Sequence, residues 1–327
     1  MRAPRTQVAA FATALALIPA LSGAASPDAG QRYPERPVRV VVPVTAGGGV
    51  DTLARLVGEH LGTKWGQRFV VDNRPGAGGS IGAEIVARAT PDGHTLMVSS
   101  SSLVTNAAIR EVRYDPIRDF QPVTKLTTNP YILVTTPSLA VNSVRDLVAL
   151  AKSKPGTVTY ASSGTGGILH LGAELLSALA GTTMIHVPFK GVADGYPAVV
   201  SGQVNWMLGS PISALPLIKA GRLKAIAVTS TTRSEALPEL PTIDESGVPG
   251  YNVTAWFGLF APARVPVRIV ERLQAEASNA VRNPEVARRL QAEGTTVVGN
   301  SPREFAAEVK AEFENWRSLV KKAGLRI

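Results

Sequence analysis

Residues 38–44, VRVVVPV, form an almost unbroken apolar run, the pattern of a strand buried on both faces. Leu53, Leu56, Val57 and Leu61 follow at spacings of three and four, the stripe of an amphipathic helix. RFVVDN (68–73) predicts a second strand, and GAEIVARA (82–89) a short helix stopped by the turn TPDGH. TLMVSS (95–100) predicts a third strand. Alternation of this kind predicts a parallel sheet with right-handed crossovers.

Residues 114–137, YDPIRDFQPVTKLTTNPYILVTTP, read instead as two strands with a polar break at 127–129, expected to be a crossing between lobes. The alternation then restarts. Ser143 opens a helix with Asp146 three residues on, a capping-box-like pattern. Strands are predicted at 156–162, 183–189, 203–209 and 223–230, with helices at 166–181, 193–202 and 213–221 between them. The strand at 223–230 is expected to return the chain to the first lobe. The last third reads as mostly helical, with Pro266 and Pro284 at first-turn positions. Ser301, Pro302 and Glu304 mark one more helix start. Phe305, Val309, Phe313, Trp316 and Val320 give that helix one apolar face, expected to pack on the first lobe. The expected fold is α/β, with two α/β lobes, a hinge and an interlobe cleft. Lobe 1 is expected over 26–126 and 228–327, and lobe 2 over 127–227.

Composition narrows the setting. The 327 residues are 45% hydrophobic and 18% charged, as in a globular chain. The absence of cysteine excludes disulfides, thiolate zinc sites and a cysteine nucleophile. At the start, Arg2 and Arg5 precede a short apolar run (8–21) and then small residues, the form of a signal peptide over 1–25. The run is too short for a comfortable membrane span, so a periplasmic protein is expected. The formal charge is +9, which suits an anionic partner. Lys and Arg are scattered and only 6% of residues are aromatic, which argues against nucleic acid.

Two Gly-rich turns sit where a strand runs into a helix: TAGGG (45–49) and SSGTGG (162–167). Neither matches GxxxxGK[ST], and neither matches GxGxxG, so a nucleotide site is poorly supported. Each could be a tight turn and nothing more. A helix N-terminus with unpaired N–H groups nevertheless binds anions, and glycine lets the backbone come close. Two such loops facing one cleft make an anion clamp the better reading, since ligands of open α/β sheets bind at the carboxyl ends of strands. Catalysis has little support. His60, His94, His170 and His186 show no metal-ligand spacing, and there is no GxSxG elbow. A hydrolase using Ser163 is the rival reading, and a ligand-presenting sensory module is another.

The residues also resemble a family. YPERPVRVVVPVTAGGGVDTLAR, VVDNRPGAGGSIGAEIVARATPDGHTL, YDPIRDFQPVTKL, YASSGTGGILHLGAELL, HVPFKGVADGYPAVVSGQV and WFGLFAPARVP, in this order and spacing, are similar to the Bug, or TctC, periplasmic receptors of tripartite tricarboxylate transporters. The resemblance covers 33–327. It implies a type II periplasmic-binding fold, one small organic carboxylate as ligand, and membrane subunits of the transporter as partners. No cofactor or metal is implied, and a monomer is expected. Carried onto this chain, it implies ligand contacts from Thr45, Ala46, Gly47 and Gly48, and from Ser162, Ser163, Gly164, Thr165 and Gly166. Lys190, Gly191 and Asp194, in the segment 189–194, would face the distal end of the ligand. Ser99, Ser100, Ser210 and Trp256 are expected on the cleft wall. Thr45, the stretch SSSSLVTN (99–106) and Asp194 depart from the family pattern. An acid at 194 would repel a second carboxylate and favour an amino group or hydroxyl, unless it caps the short helix and points to solvent.

Overall fold

The computed structural model describes residues 33–234, 237–292 and 294–323, with side chains to Ser318. The expected leader and the side chain of Val320 lie outside these residues. In chain order the first elements are β1 (Val38–Val42), α1 (Gly49–Trp65), β2 (Phe69–Asn73), α2 (Ser80–Ala87), β3 (Thr95–Ser100), α3 (Ser102–Ile109) and β4 (Phe120–Pro130). Then come β5 (Ile132–Thr135), α4 (Val144–Ser153), β6 (Thr159–Ser162), α5 (Ile168–Ala180), β7 (Ile185–Pro188), α6 (Val192–Val200), β8 (Trp206–Gly209), α7 (Pro211–Lys219) and β9 (Lys224–Val228). The chain closes with β10 (Thr254–Pro262), α8 (Val267–Arg282), α9 (Pro284–Ala292), β11 (Thr296–Val297) and α10 (Pro302–Ala323).

Two sheets result. One has the order β11-β4-β10-β3-β1-β2, the other β7-β6-β8-β5-β9. The strands followed by helices, β1 to β3 and β6 to β8, pair in parallel, as their crossover helices require. β10 and β5 run antiparallel to their neighbours. Each sheet is covered by helices, and the apolar stripe predicted for α1 is buried in the first core at Leu53, Val57 and Leu61.

The structure corrects three expectations. The polar residues 127–129 do not break a strand: β4 continues through them on the first sheet, so the expected division at 126/127 falls inside β4. Thr127 and Asn129 are fully buried there because β10 and β11 pair with their backbone and Asn129 Nδ2 donates to Thr127 Oγ1 at 3.0 Å. β9 stays on the second sheet as its edge, and the chain returns only with β10, the apolar run TAWFGLFAP in the supposedly helical third. Finally, the apolar face of α10 serves both cores: Phe305 and Val309 pack with Phe260 on the first sheet, and Trp316 joins the second core.

The chain passes between sheets at Tyr131 and again over 229–253. Thr229 ties these passages together. Its Oγ1 accepts from Tyr131 N at 2.6 Å and donates to Val253 O at 2.6 Å, and its backbone bonds to both residues.

Candidate ligand-binding site

The strand-to-helix loops of the two sheets meet in the cleft. Ser102 Oγ accepts from Ile168 N at 3.1 Å, and Thr105 Oγ1 donates to Gly166 O at 3.2 Å. A Cβ at Gly191 would lie 2.1 Å from Thr45 Oγ1, and one at Gly49 would lie 2.4 Å from Ser210 Oγ. At Gly191 the Thr45 backbone is also within 2.8 Å, so no side chain fits there, whereas at Gly49 the crowding comes from the Ser210 side chain across the cleft. Between the loops is a cavity of about 30 Å³ lined in part by Gly48, Gly49, Ser100, Ser102, Ser163 and Ser210. Val44, Tyr131, Ile168, Leu169, Val192 and Phe257 supply its apolar wall. No charged side chain lines it.

The first loop is shaped by Asp51, in the first turn of α1 and 3% exposed. Its carboxylate accepts from Gly47 N at 3.0 Å, from Arg55 Nε and Nη2 at 3.0 Å each, and from Asn73 Nδ2 at 2.9 Å. Burial opposes the charge, but these hydrogen bonds hold the carboxyl below the ordinary range. Asn73 Nδ2 also donates to Val44 O at 3.0 Å, so β2 fixes both sides of the turn. The second loop turns at Gly164 and Gly166, with φ of +113° and +84°, a region that glycine enters without penalty. Ser162 Oγ accepts from Gly164 N at 3.1 Å, and His170 Nδ1 accepts from Gly166 N at 3.1 Å.

The residues expected from sequence divide into three groups. Gly48, Ser100, Ser163 and Ser210 line the cavity. Thr45, Gly164, Thr165, Gly166 and Gly191 lie just behind it: they shape the loops or bring the two sides together. The others point elsewhere. Ala46, Gly47, Lys190 and Asp194 are exposed, Asp194 in the first turn of α6, where an acid complements the helix dipole. Ser99 is buried and donates to Ser100 O. Ser162 is fully buried against His186. Trp256 faces α10, where its Nε1 donates to Glu312 Oε2; the strand period of two puts its neighbour Phe257 on the cavity instead. Sequence reasoning missed Phe257, Tyr131, Ser102 and the first-turn residues Val50, Ile168, Leu169 and Val192. All but Phe257 sit at or next to an element end that faces the cleft, while Phe257, inside β10, is turned there by strand parity.

Chemically the cavity wall offers polar donors but no cationic side chain. α1, α5, α6 and α7 all begin at the cavity, with Gly49, Ile168, Val192 and the N-cap Ser210 on or beside its wall. A helix start presents unpaired N–H groups and roughly half a positive charge, although here Ile168 N already donates to Ser102 Oγ and Pro211 carries no N–H. Ser210 is 3% exposed and its Oγ has no hydrogen-bond partner, though it borders the cavity. A buried hydroxyl left unpaired costs about 1–3 kcal/mol, which a ligand oxygen would recover. Ser162 and His186 form a serine–histidine pair at 2.6 Å, but the serine does not line the cavity, so it is no accessible nucleophile. A larger polar groove of about 440 Å³ lies beside Thr128, Ser230 and Thr295, away from these helix starts. Its Arg233 is held by Glu245 and by Pro238 O. Among the described residues no group of His, Asp and Glu is placed to hold a metal.

The model of the tripartite tricarboxylate transporter family receptor, TctC, matches residues 53–325. The structure of the periplasmic binding protein BugD is 33% identical with a TM-score of 0.86, covering 90% of this chain and 99% of its own. A protein of R. palustris, Rpa4515 with adipate, is 36% identical with a TM-score of 0.86, covering 89% and 98%. MatC from Rhodopseudomonas palustris, with bound malate, is 34% identical with a TM-score of 0.84, covering 88% and 100%.

Proposed function

The chain belongs to the tripartite tricarboxylate transporter family of receptors, and on that premise we propose that it captures one small organic carboxylate between two lobes and delivers it to the membrane subunits of such a transporter. The family and its solved relatives are ligand-binding receptors of the two-lobe type II periplasmic-binding fold, not enzymes. In our reading one lobe is built on the six-stranded sheet, up to residue 130 and from 254 onward, and the other on the five-stranded sheet. The leader-like start and the periplasmic relatives support export to the periplasm.

One observation carries the ligand class: four helix starts and the unpaired Ser210 hydroxyl converge on a cavity without a charged wall. That arrangement favours a compact anion held by N–H and O–H donors. The adipate and malate of the relatives are anions of this kind. The contacts we assign are Gly48, Gly49, Ser100, Ser102, Ser163 and Ser210, with Phe257, Tyr131 and Val192 against the carbon skeleton.

The test is a thermal-shift screen of protein unfolded, dialysed and refolded to strip resident ligand. It covers malate, adipate, monocarboxylates, aromatic acids and amino acids. A true ligand at about 100 times its Kd adds about 2.7 kcal/mol of stability. Absence of a shift with every carboxylate would overturn the reading.

A further inference from the structure

Beneath the second loop lie two histidines that the carboxylate contacts do not use. His170, the third residue of α5, is 5% exposed, and His186 comes from β7. Their rings stack with centroids 3.9 Å apart at 20°. Tyr160 stacks on both, at 5.1 Å from His186 and 6.3 Å from His170, and Trp206 lies 5.3 Å from Tyr160. Each histidine holds one end of the loop. His170 Nδ1 accepts from Gly166 N at 3.1 Å. His186 Nε2 meets Ser162 Oγ at 2.6 Å, and Ser162 Oγ in turn holds Gly164 N at 3.1 Å. Thus the two glycines with left-handed backbone are pinned by imidazoles, one directly and one through a serine.

We propose that His170 and His186 are positioning residues, whose uncharged stacked rings hold loop 162–167 in the shape that presents Ser163 and the start of α5 to a carboxylate. The proposal rests on the carboxylate reading of the cavity. Charge is incompatible with this geometry. A proton on His170 Nδ1 would face the N–H of Gly166, donor against donor, and two imidazolium rings at this spacing would repel. The other titratable groups nearby are Arg110 at the end of α3, Tyr160, and Glu174, whose carboxylate receives the Tyr160 hydroxyl. Burial, the neighbouring His186 and Arg110 push His170 down to about 4, and burial pushes His186 down to about 4. The loop therefore keeps its shape through neutral and mildly acidic pH and loses it near pH 4.

The test uses NMR and calorimetry on the mature chain. In the wild type, both imidazoles should stay neutral at pH 5.5, and the protection factor of the Gly166 amide should fall at least tenfold as they titrate. His170→Phe keeps a ring in the stack but removes the acceptor. At pH 7 it should lower Gly166 protection at least tenfold and weaken malate or adipate binding at least tenfold. His170→Asn places an amide oxygen near the lost Nδ1. It should restore both values to within about threefold and abolish the acid step in Gly166 protection. Equal loss of melting temperature in both variants with unchanged Gly166 protection would overturn the proposal. So would imidazoles that titrate near 6.5 without moving that amide, a wild-type result that needs no variant to fold. If neither acid binds the wild type, the choice of ligand fails, while the imidazole and amide titrations still report on the loop.

Discussion

At the scale of single residues, the site depends on groups that leave space as much as on groups that fill it. A methyl at Gly49 would press on Ser210 Oγ across the cleft at 2.4 Å, and on Phe257 Cε2 in its own lobe at 3.1 Å. It meets nothing so close within its own lobe except Phe257, and alanine is a better helix former than glycine. Gly49→Ala should therefore leave the unliganded melting temperature within a few degrees while weakening carboxylate binding at least tenfold. Calorimetry with a ligand from the screen checks this, and wild-type affinity would mean that the cleft does not close on Gly49. Glu312 gives a prediction of opposite character, about stability alone. Its carboxylate receives the indole N–H of Trp256 and, at 3.3 Å, that of Trp316. Burial nevertheless outweighs these bonds and raises the carboxyl from 4.5 to about 7. A raised carboxyl binds its proton more tightly in the folded state. The stability it contributes is complete below about pH 4.5 and is lost as pH rises through about 7. Glu312→Gln keeps an acceptor without the charge, so it should gain about 1–2 kcal/mol on the wild type between pH 5 and pH 8, read from urea unfolding at both values. An equal difference at the two pH values would show that the charge is not what burial opposes.

At the scale of elements, the hinge is a hydrogen-bonded junction rather than a flexible linker. Thr229 accepts from the first passage at Tyr131 and donates to the second at Val253, and it is fully buried. Thr229→Val keeps the volume but leaves Tyr131 N and Val253 O unpaired, at a cost of about 1–3 kcal/mol. Amide exchange should report the loss at Tyr131 and Val253 before it reaches the sheet centres; a uniform loss would make Thr229 an ordinary core residue. This junction was poorly legible in the sequence, and the reason is instructive. Alternation exposed β1 to β3 and β6 to β8, because crossover helices impose a period on both elements. Among the described residues no helix separates β4 from β5 or β9 from β10. The pairing of β4 with β10 is non-local, and in β4 the buried Thr127 and Asn129 imitate a loop. The two Gly-rich loops were legible because a strand, glycines and a helix start are contiguous. Phe257 and Tyr131 were not, since only the sheet order and strand parity turn them toward the cavity. Trp256 was expected there and lost its place by that parity.

At the scale of the whole molecule, the small cavity bears on how a ligand enters. About 30 Å³ is the room of roughly one water molecule, far less than a carboxylate with a carbon chain requires. Entry of any such ligand therefore needs the two sides of the cleft to part. The ligand must then stabilise the closed arrangement through contacts on both sides at once. Affinity should accordingly depend on closed-state bonds that never touch the ligand. Thr105 Oγ1 bonds to Gly166 O across the cleft, and Thr105 is fully buried but does not line the cavity. Thr105→Val removes that bond in the closed form only. A loss of about 1 kcal/mol from the closed state corresponds to about a fivefold weaker affinity. Because it acts after encounter, the change should fall on the dissociation rate and leave the association rate nearly untouched. Stopped-flow binding measures both rates. An unchanged dissociation rate would mean that the Thr105 bond persists when the lobes part, and that the hinge opens the cleft along some other line.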